Sequence, residues 1–204
     1  MVNILWARHG ENVANLTRTF SYRGFDGDLT STGRRQAEEI ADRVASWLGD
    51  PVNQIVCSPL RRARQTAEIV SARLRLPIAA ELEGFRELNV GALDGRSDAQ
   101  AWDTYAQVLG AWKAGQIRVR FPDGEDCAEL CARLWHALAA VASSAAAGGR
   151  PLIVAHGANL RAALPRLTGQ PDPGADLPVG AVAALHVDPK HRLPGGARLL
   201  SWPS

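Results

Sequence analysis

The chain of 204 residues is long enough to bury a core as one domain. Its hydrophobic content of 46% and its charged content of 22% are typical of a globular protein. The 23 basic and 21 acidic residues give a net charge of +2 without a basic stripe, so neither nucleic acid nor a membrane is an expected partner. An enzyme or a small-molecule binding protein remains.

Secretion and disulfide bonding are not expected. Met1 is followed at once by a strand-like run, without the pattern of a signal peptide. No segment approaches the roughly 18 consecutive apolar residues of a membrane span. The cysteines are odd in number, and Cys127 and Cys131 lie on one helical face, where a metal pair is conceivable. Because no Cys/His partner pair lies nearby, we expect Cys127 and Cys131 to be buried packing residues. We expect the protein itself to be cytoplasmic.

Short apolar runs predict the strands of a sheet. In chain order they cover residues 2–6, 54–57, 151–155 and 181–187, with a further strand at 198–202. The run at 151–155 is continuously apolar, which is typical of a strand buried on both faces. We expect the last two strands to be antiparallel edges of the sheet.

Helical patterns lie between these strands, over residues 30–48, 59–73, 98–114 and 125–147 and again after His156. The first of them ends at Gly49-Asp50-Pro51 and the fourth at Gly148-Gly149. Alternating strands and helices predict an α/β fold with a largely parallel sheet, formed by residues 1–204 as a single domain. The segment from about 83 to 125 interrupts the alternation, and we expect it to be a small helical insertion covering the site.

Polar motifs follow three of the predicted strands. Arg8-His9-Gly10-Glu11 follows the first, Ser58 and a run of arginines follow the second, and His156-Gly157 follows the third. The carboxyl ends of parallel strands meet at one edge of a sheet, where ligands bind. The second and third motifs also open helices, whose N-termini favour anions. The sequence therefore predicts a site at this edge.

The arginines indicate what this site binds. The histidines and carboxylates could be metal ligands, a phosphate site or unrelated surface residues. A guanidinium fixed beside each histidine repels a divalent cation, whereas its planar fork of donors matches the oxygens of a phosphate. We therefore predict a phosphate held by Arg8, Arg62 and His156, with no metal and no cofactor required.

His9 and Glu87 can complete the chemistry. Neutral His9 can attack phosphorus in line and form a phosphohistidine. Glu87 can give a proton to the leaving alkoxide and later take one from water. This chemistry requires an unprotonated nitrogen on His9 and a protonated Glu87, so we expect activity on the acid side of neutrality.

Together the motifs resemble the histidine phosphatase superfamily, also called the phosphoglycerate-mutase-like proteins. The resemblance rests on Arg-His-Gly-Glu at 8–11, Leu-Thr-x-x-Gly-x-x-Gln-Ala at 29–37, Ser-Pro-Leu-x-Arg-Ala-x-Gln-Thr-Ala at 58–67, Glu87 and His156-Gly157. It implies a three-layer α/β/α fold with a mostly parallel central sheet.

The resemblance also implies the roles of individual residues. His9 is then the phosphorylated nucleophile and Glu87 the proton donor. The phosphate pocket comprises Arg8, Arg62 and His156, with Asn15 and the backbone at Ala158 assisting.

Three functions share this constellation, namely hydrolysis, mutase-type phosphotransfer and phosphate binding without turnover. A mutase must keep the phosphohistidine from water, which in the family goes with extra lid segments, so the compact insertion favours hydrolysis. Residues 121–125, Phe-Pro-Asp-Gly-Glu, resemble the Pro-Gly-Gly-Glu turn of the phosphatase branches, although Asp123 replaces the first glycine. A phosphate-binding module would be expected to have lost His9 or Glu87.

The expected partner is a small phosphorylated metabolite whose leaving group stays open. Arg18, Arg23 and Arg161 would suit a second anionic group. Trp102 and Trp112 would suit an aromatic or bulky apolar group equally well. Solvated surface or core packing is the alternative for each of these residues, and a homodimer is compatible with the sequence.

Overall fold

A computed structural model describes residues 1–47, 51–145, 149–191 and 193–203. The helix ends predicted at Gly49-Asp50 and Gly148 lie outside these ranges. A sheet of six strands forms the centre, in the order β3-β2-β4-β1-β5-β6. The strands are β1 (Val2–Arg8), β2 (Val52–Cys57), β3 (Ile78–Glu81), β4 (Arg150–Ala155), β5 (Val182–Val187) and β6 (Ala197–Ser201).

The pairing of the strands is parallel on one side of the sheet and antiparallel on the other. β4 lies between β1 and β2 and is parallel to both, and β3 is parallel to β2. β5 is antiparallel to β1, and β6 is antiparallel to β5. The mostly parallel sheet is thus confirmed, but only β6 of the last two strands lies at an edge, since β5 is hydrogen-bonded on both sides.

The described ranges contain six helices. Five follow the predicted pattern, and the first, which is short, is an addition. They are α1 (Val13–Thr17), α2 (Ser31–Ala45), α3 (Arg61–Leu74), α4 (Ala99–Lys113), α5 (Cys127–Ser144) and α6 (Ala158–Thr168). The hydroxyl of Thr30 accepts from the N–H of Gly33 and caps α2. An aspartate caps α4, and the capping box of Asp126 with Glu129 starts α5. These local signals set the helix starts close to where the sequence places them.

Two apolar cores lie on opposite faces of the sheet. Successive strand residues point to opposite faces, so Ile4 and Trp6 of β1 join one core while Leu5 and Ala7 join the other. Apolar residues of α5 and α6 cover the first face, and those of α2 and α3 cover the second. The fold is a three-layer α/β/α arrangement, as the resemblance implies.

The predicted insertion lies between β3 and α5. It contains two short 3-10 turns, Glu83–Phe85 and Gly91–Leu93, followed by α4. The aromatic side chains of α4 pack on Phe20 and Phe121. Trp102 and Tyr105 line a pocket together with Arg8, the last residue of β1, so this segment lies beside the carboxyl end of that strand. Within the described ranges, no helix is long and apolar enough to cross a membrane.

The cysteines are buried thiols. Cys57 lies in β2, and the Sγ atoms of Cys127 and Cys131 are 3.9 Å apart in the first turns of α5. The part of the chain that the structure describes contains no group of three or more His, Cys, Asp or Glu side chains arranged to hold a metal ion.

Candidate active site

The carboxyl ends of three adjacent strands bring the sequence motifs together. Arg8 ends β1 and His9 follows it, Ser58 follows β2, and His156 follows β4, which lies between them. The N–H of His9 donates to the carbonyl of Ala155 at 2.9 Å. The ring centroids of His9 and His156 are 5.2 Å apart, so both imidazoles belong to one site.

The hydrogen bonds of His9 define its tautomer. Nδ1 lies 2.7 Å from the carbonyl oxygen of Gly10, which can only accept, so Nδ1 carries the proton. Nε2 accepts from Nε of Arg62 at 3.0 Å. Burial, followed by the charges of Arg62 and Arg8, holds the pKa of His9 well below its usual value. His9 is therefore neutral, with a lone pair on Nε2.

The turn that carries His9 is packed tightly against the start of α2. A Cβ atom at Gly10 would lie 2.2 Å from the carbonyl oxygen of Gly33, and one at Gly33 would lie 2.0 Å from that of Glu11. The N–H of Glu11 donates to Gln36, and the N–H of Gly10 donates to Thr66 of α3. Only glycine fits at these two contact points.

Arg62 enters the site from the first turn of α3. Besides Nε on His9, its guanidinium contacts the hydroxyl and the carbonyl of Ser21 and a carboxylate oxygen of Asp26, at 3.0–3.2 Å. Asp26 also accepts from the N–H of Arg61 and so ties the loop to the helix start. Burial lowers the pKa of Arg62, while Glu87 and Asp26 oppose that shift.

His156 lies beside His9 with one nitrogen engaged. Its Nε2 is 2.8 Å from the hydroxyl of Ser58, and its carbonyl accepts from the indole of Trp6. Nδ1 is buried and has no hydrogen-bond partner among the described residues. Burial, with the nearby Arg62, His9 and Arg8, holds the pKa of His156 well below its usual value.

Further buried donors in the site are also unpaired. Nη1 of Arg8 donates to the carbonyl of Leu177 at 2.6 Å, but its Nε has no partner within the described ranges. The same holds for Nδ2 of the fully buried Asn12. Leaving a buried donor unpaired costs about 1–3 kcal/mol, so such donors are unusual outside functional sites. Donors gathered in this way suit an anion with several oxygens.

Glu87 faces His9 across the same pocket. Its Oε1 accepts from the backbone N–H of Leu88 at 2.9 Å and of Asn159, in the first turn of α6, at 2.8 Å. In the part of the chain that is described, no hydrogen bond involves Oε2. One oxygen therefore fixes the carboxyl group, and the other is available to hold a proton.

The backbone before Glu87 is held by two side chains from other elements. Arg133 of α5 donates to the carbonyls of Gly84, Arg86 and Glu87 at 2.8–3.0 Å. Asn159 donates to the carbonyls of Phe85 and Arg86. Every carbonyl of residues 84–87 thus accepts from one of these side chains.

Arg133 is itself oriented by a carboxylate. Both oxygens of the buried Glu125 accept from its guanidinium, at 2.7 and 2.8 Å, and Glu125 also accepts from the N–H of Asn89. The preceding Asp123 has a φ of 55°, in the left-handed region that glycine favours and aspartate tolerates. Asp123 therefore adopts a backbone conformation that is also open to glycine.

A pocket with a cavity volume of about 120 Å³ connects these groups. Most of the residues predicted for the site line it: Arg8, His9, Asn15, Arg62, Glu87, Trp102 and Ala158. His156 does not line the pocket, but its ring lies 5.2 Å from that of His9. The remaining lining residues include Asn12, Ser21, Phe20 and Tyr105.

Four predicted substrate contacts do not line the pocket. Arg18 lies over the ring of Trp102, 5.0 Å from its centroid, and Arg23 lies over Tyr22. Trp112 is buried against Phe121 and donates to the carbonyl of Val119. Arg161 is paired with two aspartates of the loop after α6, Asp172 and Asp176.

Sequence reasoning missed several groups that shape the site. Asn12 could have been found from its position directly after Arg-His-Gly-Glu, and Ser58 from its place within a recognised motif. Tyr105 lies on the same predicted apolar face as Trp102, and the tyrosines near the insertion would suit an aromatic leaving group, but Tyr105 is not singled out as a site residue. Nothing local in the sequence indicates the long-range contacts of Arg133 and Asn159.

The buried histidines should make stability depend on pH. Their pKa values are depressed on folding, so the unfolded chain binds protons first as the pH falls below about 6.5. Each histidine then lowers the free energy of unfolding by up to about 1.4 kcal/mol per pH unit, until its folded pKa is reached. Urea unfolding at pH 7.5, 6.5 and 5.5 measures this loss, and His9→Asn should reduce the slope by about half. Equal slopes in both proteins would contradict this assignment.

One family matches the chain over most of its length. Residues 4–193 match the family described as Histidine phosphatase superfamily (branch 1). The chain belongs to the histidine phosphatase superfamily. The resemblance seen in the sequence is confirmed, and with it the expectation of an enzyme of the histidine phosphatase class.

Relatives of this superfamily member include two Yersinia proteins, each named Probable phosphoglycerate mutase GpmB. The protein from Yersinia enterocolitica is 34% identical over 177 residues, which cover 84% of this chain and 77% of the relative. The protein from Yersinia pestis (strain Pestoides F) is 33% identical over 171 residues with the same coverage.

Solved structures of phosphatases share the fold of this histidine phosphatase superfamily member. Mycobacterial glucosyl-3-phosphoglycerate phosphatase Rv2419c, in complex with VO3, has a TM-score of 0.79 at 23% identity, covering 99% of this chain and 98% of that one. Alpha-ribazole phosphatase from Shigella flexneri has a TM-score of 0.73 at 24% identity, with coverage of 100% and 96%. The fold class predicted from the sequence is thereby confirmed.

Proposed function

We propose that this protein is a metal-independent phosphomonoesterase that hydrolyses a small phosphorylated metabolite in the cytoplasm through a phosphohistidine on His9. The observation that carries the proposal is the neutral imidazole of His9, whose Nε2 lone pair lies in a pocket shared with Arg8, Arg62 and Glu87. Nucleophile, anion donors and proton donor are therefore present in one place. No step of this chemistry requires a metal.

In the first step Nε2 of His9 attacks phosphorus, so an N–P bond forms as the P–O bond to the leaving group breaks. Arg62, Arg8, His156 and Asn12 hold the phosphoryl oxygens, and the donor from Arg62 moves from Nε2 to one of these oxygens. The carbonyl of Gly10 stabilises the charge that develops on the ring through Nδ1. Oε2 of Glu87 gives its proton to the leaving oxygen.

In the second step water attacks the phosphohistidine, and the N–P bond breaks to release inorganic phosphate. Oε2 of Glu87 takes the proton of the water and returns to its starting state. Oε1 stays fixed by the N–H groups of Leu88 and Asn159 throughout. The preorganised donors need little rearrangement in either step, which lowers the barrier to both.

A phosphoglycerate-mutase activity is the second candidate, because the Yersinia relatives carry that name. A mutase must return the phosphoryl group to a bound intermediate before water reaches the phosphohistidine. The compact insertion between β3 and α5 favours hydrolysis.

Phosphate release from para-nitrophenyl phosphate in the presence of EDTA tests the proposal. We expect turnover that survives chelation, together with an acid-labile phosphoenzyme after rapid quenching. Failure to form phosphohistidine with any phosphodonor would contradict the proposal. Transfer between positions of a phosphoglycerate, without phosphate release, would support the mutase instead.

Arg133→Lys should reveal how the proton donor is positioned. Lysine retains the charge that faces Glu125 but cannot reach three carbonyls with a planar fork. We expect the rate of His9 phosphorylation by an alkyl phosphate to fall by about 10- to 100-fold, because a misplaced Glu87 protonates the alkoxide poorly. On para-nitrophenyl phosphate, whose leaving group needs little protonation, the rate of the para-nitrophenol burst that reports His9 phosphorylation should fall by less than about 3-fold.

Arg120→Lys is the matched control, since Arg120 forms an exposed pair with Glu129 near the same helix and should leave both rates unchanged. Equal losses in the rate of His9 phosphorylation by the two substrates in Arg133→Lys would mean that Arg133 is structural only.

A further inference from the structure

The pocket has an apolar side beyond the phosphate donors. Phe20, Trp102 and Tyr105 form a cluster of rings, with centroids 4.4–5.6 Å apart. Leu88, Val90 and Ala14 add aliphatic surface to the lining. Contacts with residues outside the pocket lining fix two of these rings. Tyr105 stacks on the buried Phe121, and the indole of Trp102 donates to the carbonyl of Arg18. An apolar wall of three rings, inclined to one another by 35–72°, therefore faces the space next to the phosphate site.

The cations that line the pocket serve the phosphate site, and Arg18, which lies over the Trp102 ring, is not among the lining residues. Among the lining residues in the described ranges, the cations are Arg8 and Arg62, which serve the phosphoryl group itself. Arg161 is held by Asp172 and Asp176 outside the pocket. Asp176 and Glu87 are also the carboxylates that act electrostatically on Tyr105. Among the described lining residues, a carboxylate or second phosphate on the leaving group would therefore meet no cation other than Arg8 and Arg62.

Tyr105 adds one polar atom to the apolar wall. Its hydroxyl makes no hydrogen bond to any described residue, although the ring is packed on both sides. Burial, with Glu87 and Asp176 nearby, raises the pKa of the phenol. The hydroxyl therefore stays protonated and can donate to a neutral oxygen or nitrogen of a bound group.

We propose that the substrate is a phosphomonoester whose leaving group is uncharged and presents a flat apolar face, such as an aromatic ring, to Phe20, Trp102 and Tyr105. This inference rests on the proposed hydrolysis at His9 and specifies the substrate class for that site. It disfavours phosphoglycerates, because their leaving group carries a carboxylate. Aromatic side chains contribute both apolar area and stacking to such a ring, and a buried unpaired carboxylate costs free energy.

A series of esters with the same type of primary alkyl leaving group tests the proposal without a difference in leaving-group chemistry. The series is 2-phenylethyl phosphate, propyl phosphate and 2-carboxyethyl phosphate. We expect kcat/KM for the phenyl ester to exceed that for the propyl ester by about 10-fold and that for the carboxylate ester by about 100-fold. Equal values, or a preference for the carboxylate, would overturn the proposal.

Two tryptophan variants test whether the preference for the phenyl ester arises at the aromatic wall. Trp102→Leu removes a ring from the wall and should reduce the preference for phenyl over propyl by about 5-fold or more. Trp47→Leu is the matched control, because Trp47 packs on the core of the opposite face of the sheet. A preference that persists in Trp102→Leu, or that falls equally in both variants, would contradict binding at this wall.

The outcomes also separate the two levels of the proposal. Absence of turnover on every ester and of a phosphohistidine would remove the proposed function itself. Turnover with the carboxylate ester preferred would leave hydrolysis at His9 standing and remove only the assigned substrate class. The ester series on the wild-type protein decides this even if Trp102→Leu does not fold.

Discussion

We expect His9→Asn to abolish turnover and to lower kcat on any phosphomonoester by at least about 10⁴-fold. The amide of asparagine lies at the position of Nδ1 and can still donate to the carbonyl of Gly10, but it does not reach the position of Nε2. It cannot form a covalent bond to phosphorus, so the loss reports the missing nucleophile rather than a changed pocket. Phosphate release with EDTA present measures kcat.

A binding measurement serves as the control for His9→Asn. Arg8, Arg62 and Asn12 remain in place, so inorganic phosphate should bind with an affinity within about 10-fold of that of the wild type. No acid-labile phosphoenzyme should appear in the variant. Substantial residual turnover in a folded variant would show that another group attacks phosphorus.

Glu87→Gln should slow the reaction in a way that depends on the leaving group. The glutamine oxygen can still accept from the N–H groups of Leu88 and Asn159, so the side chain keeps its position. The amide cannot supply a proton, and we expect kcat on an alkyl phosphate to fall by about 10²- to 10⁴-fold. Phosphorylation by para-nitrophenyl phosphate should be much less affected, since nitrophenolate leaves without a proton.

The second half-reaction distinguishes Glu87 further. Without a base for water, the phosphohistidine should accumulate and para-nitrophenol should appear as a burst followed by a slow steady state. Rapid quenching in base and measurement of the bound phosphoryl group would reveal this intermediate. A variant that loses both substrates equally and shows no burst would place the proton donor elsewhere.

The sequence predicts the sheet and the reacting groups well because both depend on local patterns. Apolar runs mark the central strands, and Arg8-His9 and His156 follow the strand ends directly. β3 was missed, since Ile78–Glu81 is a short strand whose residues alternate only between half-buried and exposed. Its formation depends on pairing with β2, which supplies a partner that no local pattern indicates.

The surroundings of the reacting groups could be predicted less well, for a physical reason. Trp102, Tyr105 and Trp112 share an apolar face of α4, and periodicity cannot tell which part of that face borders the pocket. The pairing of Arg161 with Asp172 and Asp176 depends on the path of a loop, which the composition does not specify. The hold of Arg133 on residues 84–87 joins segments far apart in the chain and exists only in the folded state.

The contact between the His9 turn and the start of α2 explains a motif that touches no phosphate. Thr30, Gly33 and Gln36 belong to the run at residues 29–37, and each contacts the backbone or side chain of Glu11, two residues after the nucleophile. This run is a rigid support for the turn that carries the nucleophile. Substitutions of Gly33 should therefore impair catalysis as substitutions in the active site do, although Gly33 does not contact the substrate.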